Sequence, residues 1–125
     1  MKLKIIATLI VSSTLLFSNT IVGAWTIDKD KAEELFESLA GKEMEQFIIA
    51  LMVEAMTNIE FREDGSCQIT TKNRSKCWEK SPDSSYVLYE EDGSYTGTKV
   101  KIIDAKHMEI IIKEPKFKFA FIRNN

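Results

Sequence analysis

The chain has few of the residues from which catalytic and metal sites are usually built. It contains one histidine, two cysteines, two prolines and five glycines. Two cysteines and the lone His107 fall short of the four ligands of a structural zinc site. Cys67 and Cys77 lack the Cys-x-x-Cys spacing of a redox pair. No glycine-rich segment precedes a helix in the manner of a phosphate loop, and no serine sits in a nucleophile elbow. Lysines and arginines are not clustered as a nucleic-acid footprint requires. His107 has Asp104 within reach across a turn, but neither a nucleophile nor a defined pocket accompanies it. These absences argue against an enzyme and against any cofactor, metal or nucleic-acid partner.

What is present begins with an export signal. A short basic patch, Met1-Lys2-Leu3-Lys4, leads into an apolar run from Ile5 to Phe17 and then into Val22-Gly23-Ala24. That order is the one a signal peptidase reads, which predicts a signal over residues 1–24 and a mature chain beginning at Trp25. The apolar run is too short for a span of roughly 20 residues, so no stable membrane insertion is expected after cleavage. The expected location is periplasmic or secreted. Loss of Lys2 and Lys4 leaves 15 basic against 19 acidic residues. The remaining 101 residues suit one domain with one core.

The first part of the mature chain reads as helical. Asp28 or Asp30 can cap a helix, and Ala32, Leu35, Phe36 and Leu39 fall on one stripe at helical spacing. Gly41 is a plausible stop. A second stripe runs through Met44, Phe47, Ile48, Leu51, Met52, Ala55 and Met56. It is apolar nearly all round, which predicts a central helix buried on several sides against a sheet. Its three methionines suit either core filling or an adaptable binding face.

From residue 58 the period changes to two. "EDGS" recurs at 63–66 and 91–94, and Asp-Gly between alternating runs predicts hairpins. A three-residue loop, Glu63-Asp64-Gly65 with Gly65 left-handed, sets Phe61 opposite Cys67 and Ile59 opposite Ile69. Glu91-Asp92-Gly93 sets Tyr89 opposite Tyr95. Between them, Thr71-Lys72-Asn73 read as a loop with Asn73 left-handed would bring Cys67 opposite Cys77. Opposed strand residues have Cα atoms roughly 4.5–5.5 Å apart, inside the window of roughly 4.4–6.8 Å that a disulfide accepts. A structural disulfide between Cys67 and Cys77 follows. Later runs place Val100 and Ile102, then Met108, Ile110 and Ile112, then Phe117, Phe119 and Phe121, each on one face, with a turn at Glu114-Pro115-Lys116 before the last strand. The fold class is therefore α+β: two N-terminal helices followed by an antiparallel meander of about seven strands, curled into a half-barrel or small barrel.

The segments "IEFREDGSC", "KCWEKSPDSSYVLYEEDGS", "KVKIIDAKHMEIIIK" and "FAFIRN" resemble small lipocalin-like domains of exported bacterial proteins. In such domains a turn Asp-Gly, a mid-sheet Trp and a terminal strand ending in Arg recur, here Asp64-Gly65, Trp78 and Arg123. A lipocalin proper opens with Gly-x-Trp leading into a strand, whereas Gly23-Ala24-Trp25 straddles the expected cleavage site and is read as leading into a helix. The resemblance implies a binding role without naming a ligand. The expected function is thus an exported, non-enzymatic binding protein for a small apolar or amphipathic ligand, with Trp78, Tyr86 and Tyr89 lining the site. The alternative is a protein-interaction module, such as an exported inhibitor or envelope accessory factor, with the loop "EKSPDSS" (79–85) as its contact. A cavity of roughly 300 Å³ or more would favour the first.

Overall fold

A computed structural model describes residues 20–113 and 116–124; Glu114 and Pro115 of the expected turn, and residues 1–19 of the expected signal, lie outside them. The first described element is a strand, β1 (Gly23–Ile27), followed by helices α1 (Lys29–Ser38) and α2 (Glu43–Ala55). Eight further strands follow: β2 (Asn58–Phe61), β3 (Cys67–Ile69), β4 (Lys72–Arg74), β5 (Trp78–Lys80), β6 (Tyr86–Tyr89), β7 (Tyr95–Ile102), β8 (His107–Ile112) and β9 (Phe117–Arg123). Class and curl are as expected, but the helices do not come first, and β1 and β5 raise the strand count above seven. Gly23-Ala24-Trp25 opens a strand, not a helix. The helix starts only at Asp28, whose carboxylate accepts from the backbone N–H groups of Asp30 and Lys31. Such a cap occupies donors that have no partner inside the helix.

All nine strands form one antiparallel sheet in the order β4-β3-β2-β1-β9-β8-β7-β6-β5. β1 is central because it pairs with both β2 and β9. Its presence there means that residues 20–24, which cleavage before Trp25 would remove, belong to the folded body. Ile21 is fully buried, and Gly23 and Ala24 pair with Phe61 and Glu60.

The two outermost strands, β4 and β5, are consecutive in the chain. An even number of antiparallel pairings separates them, so they run in the same sense. Residues 72–80 are in effect one extended stretch kinked at Ser75-Lys76-Cys77, pairing with β3 before the kink and with β6 after it. The sheet therefore curls until its edges meet along this stretch. Cys67 and Cys77 are joined across the kink, with Cα atoms 5.7 Å apart. The N–H groups of Cys77 and Trp78 both reach the Gly65 carbonyl.

The disulfide is as expected, but its route is not. Ile69 pairs with Lys72 and Cys67 with Arg74, so the loop is Thr70-Thr71 and Cys77 is not on the opposing strand. Thr70, not Asn73, takes the left-handed conformation, at φ 57°. A threonine rarely does so. Here tertiary bonds hold it: its N–H donates to the Asn58 carbonyl and its hydroxyl to the Ala55 carbonyl at the end of α2. The other hairpins follow their turn chemistry. Phe61 faces Cys67 and Tyr89 faces Tyr95, with Gly65 and Gly93 in the left-handed positions.

The inward faces of the strands form the core, led by Trp25, Ile59, Phe61, Val100, Met108, Ile110, Phe119 and Phe121. α2 is not surrounded as its composition suggests. Ile49 alone is buried, while Met44, Phe47 and Leu51 are 71%, 59% and 52% exposed. The helix pair covers one side of the curled sheet and leaves its outer apolar face in solvent. Among the described residues, no helix is long and apolar enough to cross a membrane.

Candidate functional site

The curl leaves a cavity of about 480 Å³ beneath the C-terminal half of α2. Its apolar lining comes from Met52 of α2 and Met56 at the cap that follows it, Ile69 of β3, Leu88 of β6, and Ile110 and Ile112 of β8. The sheet residues are on this wall because they occupy inward positions of their strands, where alternation places apolar groups. The methionines close it from above with flexible, polarisable side chains that adapt to a varied shape. Ala55 and Thr98 leave room where larger residues would fill the space.

The polar lining comes chiefly from two segments. Thr70, Thr71, Lys72 and Arg74 come from the β3–β4 hairpin, and Tyr89 and Glu90 from the end of β6. Arg74 lies opposite Cys67, and directly opposed residues share a sheet face. Its guanidinium is thereby carried to the inner side. Nη1 donates a long bond of 3.4 Å to the Tyr89 carbonyl, across the gap between β4 and β6. Nε is enclosed and has no hydrogen-bond partner among the described residues.

Of the three aromatics expected at the site, Tyr89 alone lines this cavity. Trp78 and Tyr86 pack edge to face on each other, 5.5 Å between ring centres. Tyr86 is part of the buried core, and Trp78 donates its indole N–H to the Arg62 carbonyl at 2.9 Å. Both are held as structure. Tyr89 sits under the Lys76 ammonium, 4.4 Å from the ring centre, and its hydroxyl donates to the Glu79 carboxylate. The latter bond, together with partial burial, raises the phenol pKa above its ordinary 10.0.

The segment 79–85 is also mostly structure. Glu79 and Lys80 belong to β5, and Ser81 to Ser85 form a tight turn with Ser84 left-handed at φ 71°. The same turn chemistry occurs three times. Asp64, Asp83 and Asp92 each accept from the N–H and the hydroxyl of the serine two residues on. Those bonds lower each carboxyl pKa, that of Asp83 to about 2. Asp104 and His107 meet as the sequence suggests, with Nδ1 2.8 Å from the carboxylate. Both side chains are more than half exposed. The Lys106 N–H and then His107 lower the Asp104 pKa.

Sequence reasoning missed Arg74 and Lys72 because of the hairpin register. A loop one residue longer turns every side chain of β4 to the other face. Met52, Met56 and Tyr89 were the legible signs of the cavity. Compared with known proteins, the chain matches no family model, and neither a curated protein nor a solved structure is significantly similar to it.

Proposed function

We propose that this protein is an exported, non-enzymatic binding protein of lipocalin-like design that holds a small apolar or amphipathic molecule between α2 and the curled sheet. The cavity carries this reading. Its volume, about 480 Å³, lies within the range of roughly 300–1,000 Å³ that small-molecule sites occupy, and its walls combine apolar surface with a few convergent polar groups. The Gly-x-Trp that opens β1 supports the lipocalin-like reading, because it places Gly23 and Trp25 in a strand as that family does. The disulfide supports export to an oxidising compartment.

The test is binding of 1-N-phenylnaphthylamine, a neutral apolar fluorophore, to the purified chain. Saturable, blue-shifted fluorescence is expected, and Ala55→Trp, which fills the cavity mouth from a solvent-exposed position, abolishes it. Phe47→Asp on the outer face of α2 leaves it intact. A protein-interaction module is the second reading, favoured by the exposed Met44, Phe47 and Leu51. It gains if the probe fails to bind, or if its binding follows Phe47 instead of Ala55.

A further inference from the structure

The walls of the cavity are chemically uneven. Beside the apolar side chains stand two cations, Lys72 and Arg74, with Glu90 as the single acid of the lining. An arginine on the inner face of a sheet calls for an explanation. One is edge protection, since inward-pointing charges on outer strands discourage pairing with other chains. The long bond from Nη1 to the Tyr89 carbonyl fits that role, because it draws the two margins of the sheet together.

Edge protection leaves Nε unexplained. A guanidinium N–H enclosed without an acceptor is unfavourable, and buried donors of this kind nearly always have a partner. With Nη1 turned to Tyr89, Nε is left without a protein acceptor among the described residues. A guanidinium that lines a cavity is the side chain best suited to a carboxylate or a similar oxyanion. Glu90 does not fill the role, as its side chain is solvent-exposed.

Resting on the binding reading above, we propose that the molecule held in the cavity is an amphipathic anion, its acid group drawn to the cations of the lining, Arg74 and Lys72, and its apolar body lying over Ile69, Leu88, Ile110 and Ile112. The cationic side chains then select the head group, and the apolar lining accepts bodies of varied shape beside the two methionines. Lys72 adds long-range attraction for the anion.

Displacement of 1-N-phenylnaphthylamine by decanoate and by 1-decanol tests this. The two share an apolar body and differ in the charge of the head. At pH 7.5 and below micellar concentrations, decanoate is expected to displace the probe at roughly one tenth of the decanol concentration or less, the factor expected for a charged hydrogen bond. Arg74→Met should bring decanoate to the level of decanol and leave decanol unchanged, and Arg74→Lys should retain part of the preference. Equal potency of the two on the unaltered protein, or a preference that survives Arg74→Met, overturns the anion proposal. Displacement by decanol then leaves the binding reading standing, with Arg74 only drawing the sheet edges together. Absence of probe binding removes both. Should Arg74→Met fail to fold, the acid-to-alcohol ratio of the unaltered protein decides alone.

Discussion

The Arg123 guanidinium carbon lies 4.2 Å from the centre of the Trp25 ring, and the two residues are directly opposed on β9 and β1. Among the described residues the guanidinium also donates to three carbonyls: Nε to Ala105 at 2.7 Å, Nη1 to Val22 at 2.7 Å and Nη2 to Thr20 at 2.6 Å. One side chain thus ties the segment before β1, the β7–β8 turn and the last strand together. Arg123→Lys keeps the charge but cannot reach three carbonyls in a plane. We expect a loss of about 3 kcal/mol in urea unfolding, from charged hydrogen bonds and the ring contact.

Gly23 belongs to the same device. It has φ +135°, and a Cβ there would stand 2.6 Å from Arg123 Nη1. Gly23→Ala should destabilise by about 2 kcal/mol through backbone strain and displacement of the guanidinium. In a double-mutant cycle with Arg123→Lys the two losses should be less than additive, because both act on one contact. Full additivity would show that Gly23 acts through its backbone alone.

A chain beginning at Trp25 should be markedly weaker than one beginning at Thr20. The shorter chain lacks the buried Ile21, the two carbonyls that Arg123 holds, and two pairs of the β1–β2 ladder. Together these are worth about 4 kcal/mol or more. Thermal melts of the two truncations check this. Equal melting temperatures would mean that residues 20–24 are dispensable and that cleavage after Ala24 is compatible with the fold.

Removing the disulfide by Cys67→Ala with Cys77→Ala should cost about 2–3 kcal/mol, the value for closing a short loop. Alanine is the suitable replacement, since both positions are buried. Hydrogen exchange should quicken first in β4 and β5. These strands lie at the margins that the bridge holds together, and faster exchange confined to the helices would contradict that placement.

Acid should weaken the protein through its turns. The folded-state pKa of Asp64, Asp83 and Asp92 lies below the ordinary 3.8, that of Asp83 at about 2, chiefly because Ser66, Ser85 and Ser94 donate to the ionised carboxylates. A depressed pKa contributes stability above the unfolded value and loses it as pH falls through the folded one. For Asp83 the loss falls between about pH 4 and pH 2. Ser85→Ala should raise the Asp83 pKa toward 3.8 and flatten the urea midpoint over that window. A carboxyl titration by NMR that does not move would dismiss the turn as the cause.

How much was legible depended on how local the deciding contacts were. Asp-Gly loops specify their own geometry, so the facing of Phe61 with Cys67 and of Tyr89 with Tyr95 could be read from a few neighbouring residues. The Thr70-Thr71 loop could not, because Thr70 is held left-handed by Asn58 and by Ala55. That difference of one residue turned Arg74 inward and brought it to the cavity wall. β1 was hidden for another reason. Small residues before a tryptophan read equally as a cleavage site, and only pairing with β2 and β9 makes a strand of them.

Composition and periodicity by themselves determined an α+β chain, two helices, the inward faces of β2 and β7 to β9, and a pair of thiols able to bond. These follow from the alternation of apolar and polar groups, which is written along the chain. Tertiary structure alone decided the central position of β1, the meeting of the sheet edges at the kink between β4 and β5, the exposed face of α2 and the enclosed Nε of Arg74. Each of these depends on which distant segments come together, and burial and pairing over long separations are set by the closure of the whole sheet.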